Sequence, residues 1–252
     1  MEFKDQLQRK IFLPKTPERI ISLVPSQTEL LVDLGLEDKI VGVTKFCVHP
    51  NHLRKCKAIV GGTKNYRFDV IDALQPDLII GNKEENDKEG IDQLSEKYPV
   101  WMSDIFTLED AFQMIRQIAK MTNTSNQGER VIQRINDSFL CPVPFKGTCL
   151  YLIWNDPIMV AGKDTFIDFM LEKAGFKNSA NGSRYPVLNL EDVMLINPDF
   201  VLLSSEPYPF KENQLLYFKS ILPESQIRLV NGELFSWYGS RLVQSAAYFK
   251  GL

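Results

Sequence analysis

No stretch of this 252-residue chain stays apolar long enough to span a bilayer, so a membrane helix is not expected. Basic charge is not in excess. Twenty-nine Lys and Arg stand against 32 Asp and Glu, for a formal net charge of -3, with no basic stripe interleaved with aromatics. That excludes the electrostatic footprint of a nucleic-acid binder. Histidine is nearly missing: His49 and His52 are the only two, which rules out a three-histidine catalytic metal site. Four cysteines are too few for a disulfide scaffold. Cys47 lies near Cys56, and Cys141 near Cys149; buried free thiols are the expectation, with pairing left open. The N-terminus "MEFKDQLQRKIFLPKTPERI" has no apolar h-region and no small-residue cleavage site, so no signal peptide is expected in the chain as written. "VGGTKNYRFD" lacks the order of a P-loop, and "LVPSQ" places Ser26 between strand and helix without the glycines of a nucleophile elbow.

What the chain does have is a duplication. "LQPDLIIGNKEEN" (Leu74 to Asn86) is paraphrased by "INPDFVLLSSEPYPF" (Ile196 to Phe210). Each reads as a helix stopped by proline, a buried strand and a glutamate-bearing turn. The units before them also match. "RIISLVPSQTELLVDLGL" runs from a β-rich stretch into an apolar-periodic helix, with Ser26 and Glu29 spaced as a capping box. "CLYLIWNDPIMVAGKDTFIDFMLEKAGF" repeats the plan, with Thr165 and Asp168 as the box and room for a hairpin around "NDP". Short apolar strands alternating with helices predict parallel sheets. Between the repeats, Thr107 to Ala119 and Asn126 to Phe139 show helical periodicity and no flexible Gly/Ser linker. The expected architecture is α/β: two Rossmann-like lobes with parallel sheets, joined by a long bridging helix, with a ligand crevice between the lobes. The expected boundaries are 1–122, 123–141 and 142–252. A helical connection predicts limited closure.

Ligands of open α/β sheets sit beyond the carboxyl ends of the strands. Candidate contacts are therefore the residues that follow each strand: Ser26 at a helix start; Phe46, Cys47 and His49 in "KFCVHP"; Asn82 and Glu85 in "GNKEEN"; and Glu206 in "SSEPYPF". Aromatics are the sharper signal. Trp154 ends a strand, Tyr185 lies on a loop, and Trp237 and Tyr238 sit near Arg241 in "SWYGSR". Large flat side chains at such places suit a broad or macrocyclic ligand. Cys47, His49, His52 and Cys56 match no structural zinc pattern. No nucleophile, base and orienting group come together in sequence, so a non-enzymatic binding role is expected.

"ERIISLVPSQTELLVDLGLEDKIVGVTKFCVHP", "VIDALQPDLII", the central helix and "INPDFVLLSSE" together resemble the substrate-binding proteins of ABC importers for cobalamin and iron–siderophore complexes. These are the helical-backbone metal receptors, or class III periplasmic binding proteins. The resemblance runs from about Arg19 to the end. It implies a metal-containing ligand, cobalamin or another metal chelate, with no resident cofactor. It implies ligand contacts at Pro25, Ser26, Phe46, Cys47, Asn82, Trp154, Tyr185 and Trp237, to which His49, Glu85, Tyr238 and Arg241 are added from their positions. It implies an ABC permease partner met by surface glutamates, here Glu84, Glu85 or Glu89 in the first lobe and Glu206 or Glu212 in the second. It also implies a monomer in the periplasm or cell envelope. The alternative is a cytoplasmic metal- or cofactor-handling protein on the same fold, with metal on Cys47, His49 and Glu85.

Overall fold

The computed structural model describes residues 1–252. The chain divides into two compact units: Met1–Asp137 with Tyr238–Arg241, and Ser138–Trp237 with Leu242–Leu252.

The first unit contains β1 (Glu2–Lys4), β2 (Lys10–Phe12), β3 (Ile20–Ser22), α1 (Pro25–Asp33), β4 (Ile40–Val43), α2 (Leu53–Cys56), β5 (Ala58–Ile59), α3 (Phe68–Leu74), β6 (Leu78–Asn82), α4 (Lys88–Ser95), β7 (Val100–Ser103), α5 (Leu108–Met121) and α6 (Ser125–Ser138). Its main sheet is parallel throughout, in the order β5-β4-β3-β6-β7. Helices cover parallel strands on both faces, which is why β3, β6 and β7 are buried at every position. Ile21, Leu23, Ile79, Val100 and Met102 form the core with Ile71 and Ile91 from the helices. Unforeseen in the sequence is the antiparallel β1–β2 hairpin, tied to β7 by Gln6 N donating to Met102 O at 3.1 Å. α6 packs close on α5: a Cβ on Gly128 would lie 2.7 Å from the Ala119 Cβ. That packing, with Arg116 paired to Glu129 at 3.0 Å, places α6 as far as Asp137 in the first unit.

The second unit contains β8 (Gly147–Trp154), β9 (Ile158–Val160), α7 (Phe166–Lys173), β10 (Phe176–Asn178), β11 (Val187–Leu188), α8 (Leu190–Ile196), β12 (Phe200–Ser204), α9 (Glu212–Ile221), β13 (Gln226–Val230), α10 (Glu233–Ser236) and α11 (Leu242–Lys250). The sheet runs β11-β9-β8-β12-β13, with β10 beside the start of β8. β9 is antiparallel to β8, forming the hairpin around "NDP". Leu150, Leu152, Val201, Leu203, Phe210 and Phe218 fill the core.

The repeated Pro-Asp phrase has the same geometry in both units. α3 ends at Gln75 and α8 at Asn197, both left-handed, with φ of 45° and 41°. Proline follows because the helix has already stopped. Asp77 then accepts from the backbone N–H of Glu18 (2.9 Å) and Arg19 (2.8 Å), fixing the entry into β3. Asp199 accepts from the Thr148 N–H (2.7 Å) and hydroxyl (2.8 Å), fixing the start of β8. The sequence-based capping box at Ser26 is not formed. Pro25 opens α1, Val24 is the N-cap with no side-chain cap, and Glu29 turns to Arg241. At α7, Thr165 does accept from the Asp168 N–H, while the Asp168 carboxylate binds Asn178.

The hydrogen bonds from Thr148 hold the Asp199 carboxyl below the usual range. A depressed carboxyl stabilises above its unfolded-state pKa, and that contribution is lost as pH falls through the folded-state value. Asp199→Ala should therefore lower the urea midpoint at pH 7, and its gap to wild type should close in acid. A gap unchanged at pH 3 would show that the anchor is not electrostatic.

Candidate ligand-binding site

In the first unit, the carboxyl ends of β3, β6 and β7 meet in a polar network. Asn82 is buried, and its oxygen accepts from the N–H of Glu84 (2.8 Å) and Glu85 (3.1 Å), while its amide nitrogen donates to Ser103 Oγ (3.0 Å). Asn86 Oδ1 accepts from Asn82 N, and Gln27 Nε2 donates to Ser103 Oγ at 2.7 Å. Asn82 thus builds its own loop, with both ends of its side chain engaged. The turn it builds aims Glu85 at Tyr238, whose hydroxyl donates to Glu85 Oε1 at 2.8 Å. Burial first, and then the Glu85 charge, push the Tyr238 hydroxyl well above its ordinary pKa, so it stays a donor.

Next to it, Arg241 grips Glu29 with two bonds of 2.7 and 2.8 Å, both side chains largely buried. Burial raises the Glu29 carboxyl against the opposing pull of Arg241. Between Tyr238 and Arg241, Gly239 crosses α1 so closely that a Cβ would meet Ser26 O at 2.5 Å. Pro25 and Ser26 are consequently buried under this segment. The four residues Tyr238 to Arg241 belong to the first unit by these contacts, although sequence spacing assigns them to the C-terminal lobe.

Cys47 is fully buried, with its sulfur 3.0 Å from Thr28 Oγ1 and 3.3 Å from Thr44 Oγ1. Burial raises its pKa, which keeps the enclosed sulfur in its thiol form. His49 is half-buried and its field reaches Glu29, whereas His52 pairs with Glu37 at 2.8 Å. No three His, Cys, Asp or Glu side chains gather to hold a metal, and Cys47, His49 and Glu85 do not form such a group. All four cysteines are free; Cys47 and Cys149 are buried as expected, whereas Cys56 and Cys141 are exposed. Phe46, in contrast, is 47% exposed just beyond β4, with Lys45 Nζ 5.0 Å from its ring centre.

In the second unit, Trp154 closes β8 and stays 39% exposed. Its Nε1 donates to Asp156 O at 3.0 Å, and its ring meets Tyr208 edge-on at 5.6 Å. Trp237, read as a loop aromatic open to ligand, is instead buried and donates to Glu206 Oε1 at 3.0 Å, beside Ser236 Oγ at 2.8 Å. Glu206 is therefore engaged inside its own unit, as Glu85 is in the other. Glu84 is half-buried, while Glu89 and Glu212 are exposed. Tyr185 does not reach the Trp154 end. Val187 pairs with Met159 and Leu188 with Ile158, so the Tyr185 backbone lies past the Val160 end of β9, level with Tyr151.

A groove of about 590 Å³ opens beyond Trp154, between the "NDP" turn and the first turns of α8 and α9. Ile158, Leu188 and Phe218 floor it, and Asn155, Asn213 and Gln214 are among its polar lining. Sequence reading missed it, because its three walls come from segments some 30 residues apart. No helix is long and apolar enough to cross a membrane.

Both units thus carry parallel strands whose carboxyl ends present one exposed ring each, and the sequence pattern of the periplasmic binding proteins matches residues 20–218. The chain belongs to the periplasmic binding protein family. A vitamin B12-binding protein of Vibrio parahaemolyticus is 26% identical over 216 residues, covering 82% of this chain and 77% of that one. An ABC transporter substrate-binding lipoprotein of Bacillus subtilis is 23% identical over 212 residues, covering 79% and 67%. The periplasmic heme-binding protein RhuT from Roseiflexus sp. RS-1 shares the fold, with a TM-score of 0.78, 22% identity and coverage of 93% and 98%. These relatives are named as binding proteins, not enzymes.

Arg241→Ala would leave Glu29 as a buried charge without its partner, at a cost of about 3 kcal/mol at pH 7. Loss of the cation raises the Glu29 pKa further. A raised carboxyl favours folding most below its unfolded-state pKa, so the deficit should shrink as pH falls and Glu29 protonates. Urea unfolding at pH 7 and pH 4 reads this; an equal deficit at both would assign the loss to packing alone.

Proposed function

We propose that this chain is the substrate-binding component of an ABC importer and carries a metal chelate, of the cobalamin or iron-chelate type, in the periplasm or cell envelope. The observation that carries this reading is the exposed ring at the carboxyl end of each sheet, Phe46 in one unit and Trp154 in the other. Flat side chains give a macrocycle large contact area at little entropic cost. In the first unit Asn82, Asn86 and Glu85 are bonded within the protein, which leaves the ring as the exposed contact. Family membership and the relatives' names support the transport role. Glu89 and Glu212 are the exposed carboxylates best placed for arginines of a permease, with Glu84 as a third.

Calorimetric titration with cyanocobalamin and with hemin tests the reading. One of them should bind one-to-one at micromolar Kd or tighter. Phe46→Ala and Trp154→Ala should each weaken it about tenfold, the worth of one aromatic contact. If neither macrocycle binds, the chelate assignment fails for both classes.

A further inference from the structure

The groove beyond Trp154 has a composition that points to one class of ligand. Its rim carries the amides of Asn155, Asn189, Asn213 and Gln214, and no lysine or arginine lines it. Asp156 is in the lining, and Glu212 is the chain neighbour of Asn213. The one nearby cation, Lys211, sits outside the lining at the N-cap of α9. Tyr217, half exposed, gives an aromatic wall over the Phe218 floor. The groove is joined to the exposed ring by a chain of contacts: Trp154 meets Tyr208, and Gln214 Nε2 donates to the Tyr208 hydroxyl at 3.0 Å. Asn189 uses its oxygen to cap α8, and its amide nitrogen takes no part in that cap.

We propose that this groove is a ligand subsite for the amide-bearing edge of a corrinoid, selecting a neutral macrocycle over an anionic one; this rests on the receptor reading above. An amide side chain both donates and accepts, so it pairs with another amide in either sense. A corrinoid carries acetamide and propionamide arms around its ring. Heme carries propionates, which are acceptors only and bind most strongly to cationic donors, of which the lining has none. Asp156, the one charged residue of the lining, would repel such carboxylates, whereas neutral arms incur no such cost. Trp154 supports the ring face, and the groove takes the arms.

Two corrinoids with one ring system test this: dicyanocobinamide, which keeps the peripheral amides, and cobyrinic acid, in which they are carboxylates. Wild type should bind the amide form at least about tenfold more tightly. Asn155→Asp and Asn213→Asp should each weaken the amide form about tenfold, and Tyr217→Ala should weaken both corrinoids. Asn51→Asp, an exposed change in the first unit, should leave affinity alone. Thermal unfolding of every variant checks that it is folded. Cobinamide binding that is untouched by the groove variants would overturn the subsite and leave the receptor reading standing. Binding of hemin but no corrinoid would do the same. Binding of neither would remove both.

Discussion

One carboxylate at the foot of each sheet sets where its first strand begins. Asp77 holds the backbone entering β3, and Asp199 holds the backbone entering β8. Strand length then decides what stands at the far end, at about 3.3 Å per residue. β8 runs eight residues from its anchor, while its neighbour β12 pairs with it only from Cys149 to Leu152. Trp154 therefore stands two residues beyond the pairing with β12 while still paired with Met159 of β9, and the missing neighbour on the β12 side is why a tryptophan in an otherwise buried strand keeps a solvent-facing ring.

The polar residues at the strand ends have a different role from the rings. Asn82 and Asn86 are bonded to backbone and to each other, and Asn82 and the Gln27 amide nitrogen share Ser103 Oγ, as buried polar groups tend to be. Their combined effect is to point Glu85 at Tyr238. In the second unit, Ser204 receives the Tyr151 hydroxyl at 3.1 Å and donates to Glu206 O at 2.6 Å, and Glu206 takes Trp237. The glutamate-bearing turn thus commits a carboxylate inside its own unit in both copies, through Glu85 in one and through Glu206, which aligns with Glu84, in the other. It is served by two consecutive aromatics, Trp237 for one copy and Tyr238 for the other. A tyrosine hydroxyl and an indole N–H are equivalent here, because a carboxylate needs only a donor on a rigid ring.

The alternation of strands and helices was legible because both leave an apolar period, and the Pro-Asp phrase was legible because it occurs twice. Its physical job was not, since Glu18 and Thr148 lie more than fifty residues from their aspartates. Exposure was the hardest property to read. Trp154 and Trp237 both stand near strand ends in sequence, yet one is open and the other is spent on Glu206, a partner 31 positions away. Ser26 and Glu29 have capping-box spacing, but Pro25 occupies the first helical position and a buried arginine, 212 residues on, claims the glutamate. Cys47 reads as a candidate contact in "KFCVHP"; the threonines that enclose it come from α1 and the end of β4. The β1–β2 hairpin was passed over because three-residue strands carry almost no period.

The two exposed rings are not held equally, and the difference bears on selectivity. Phe46 rests on Gly62, where an added Cβ would lie 3.3 Å from its ring edge, and on one lysine. Trp154 is fixed by a hydrogen bond, by the Tyr208 ring, and through Tyr208 by Phe210 at 4.7 Å. A ring already locked in place loses little freedom on binding, so more of its contact energy appears as affinity. On the receptor reading proposed above, Trp154 would be the anchor of fixed geometry and Phe46 the less constrained contact, and discrimination between macrocycles would fall to the second unit, where the fixed ring adjoins a groove lined by amides.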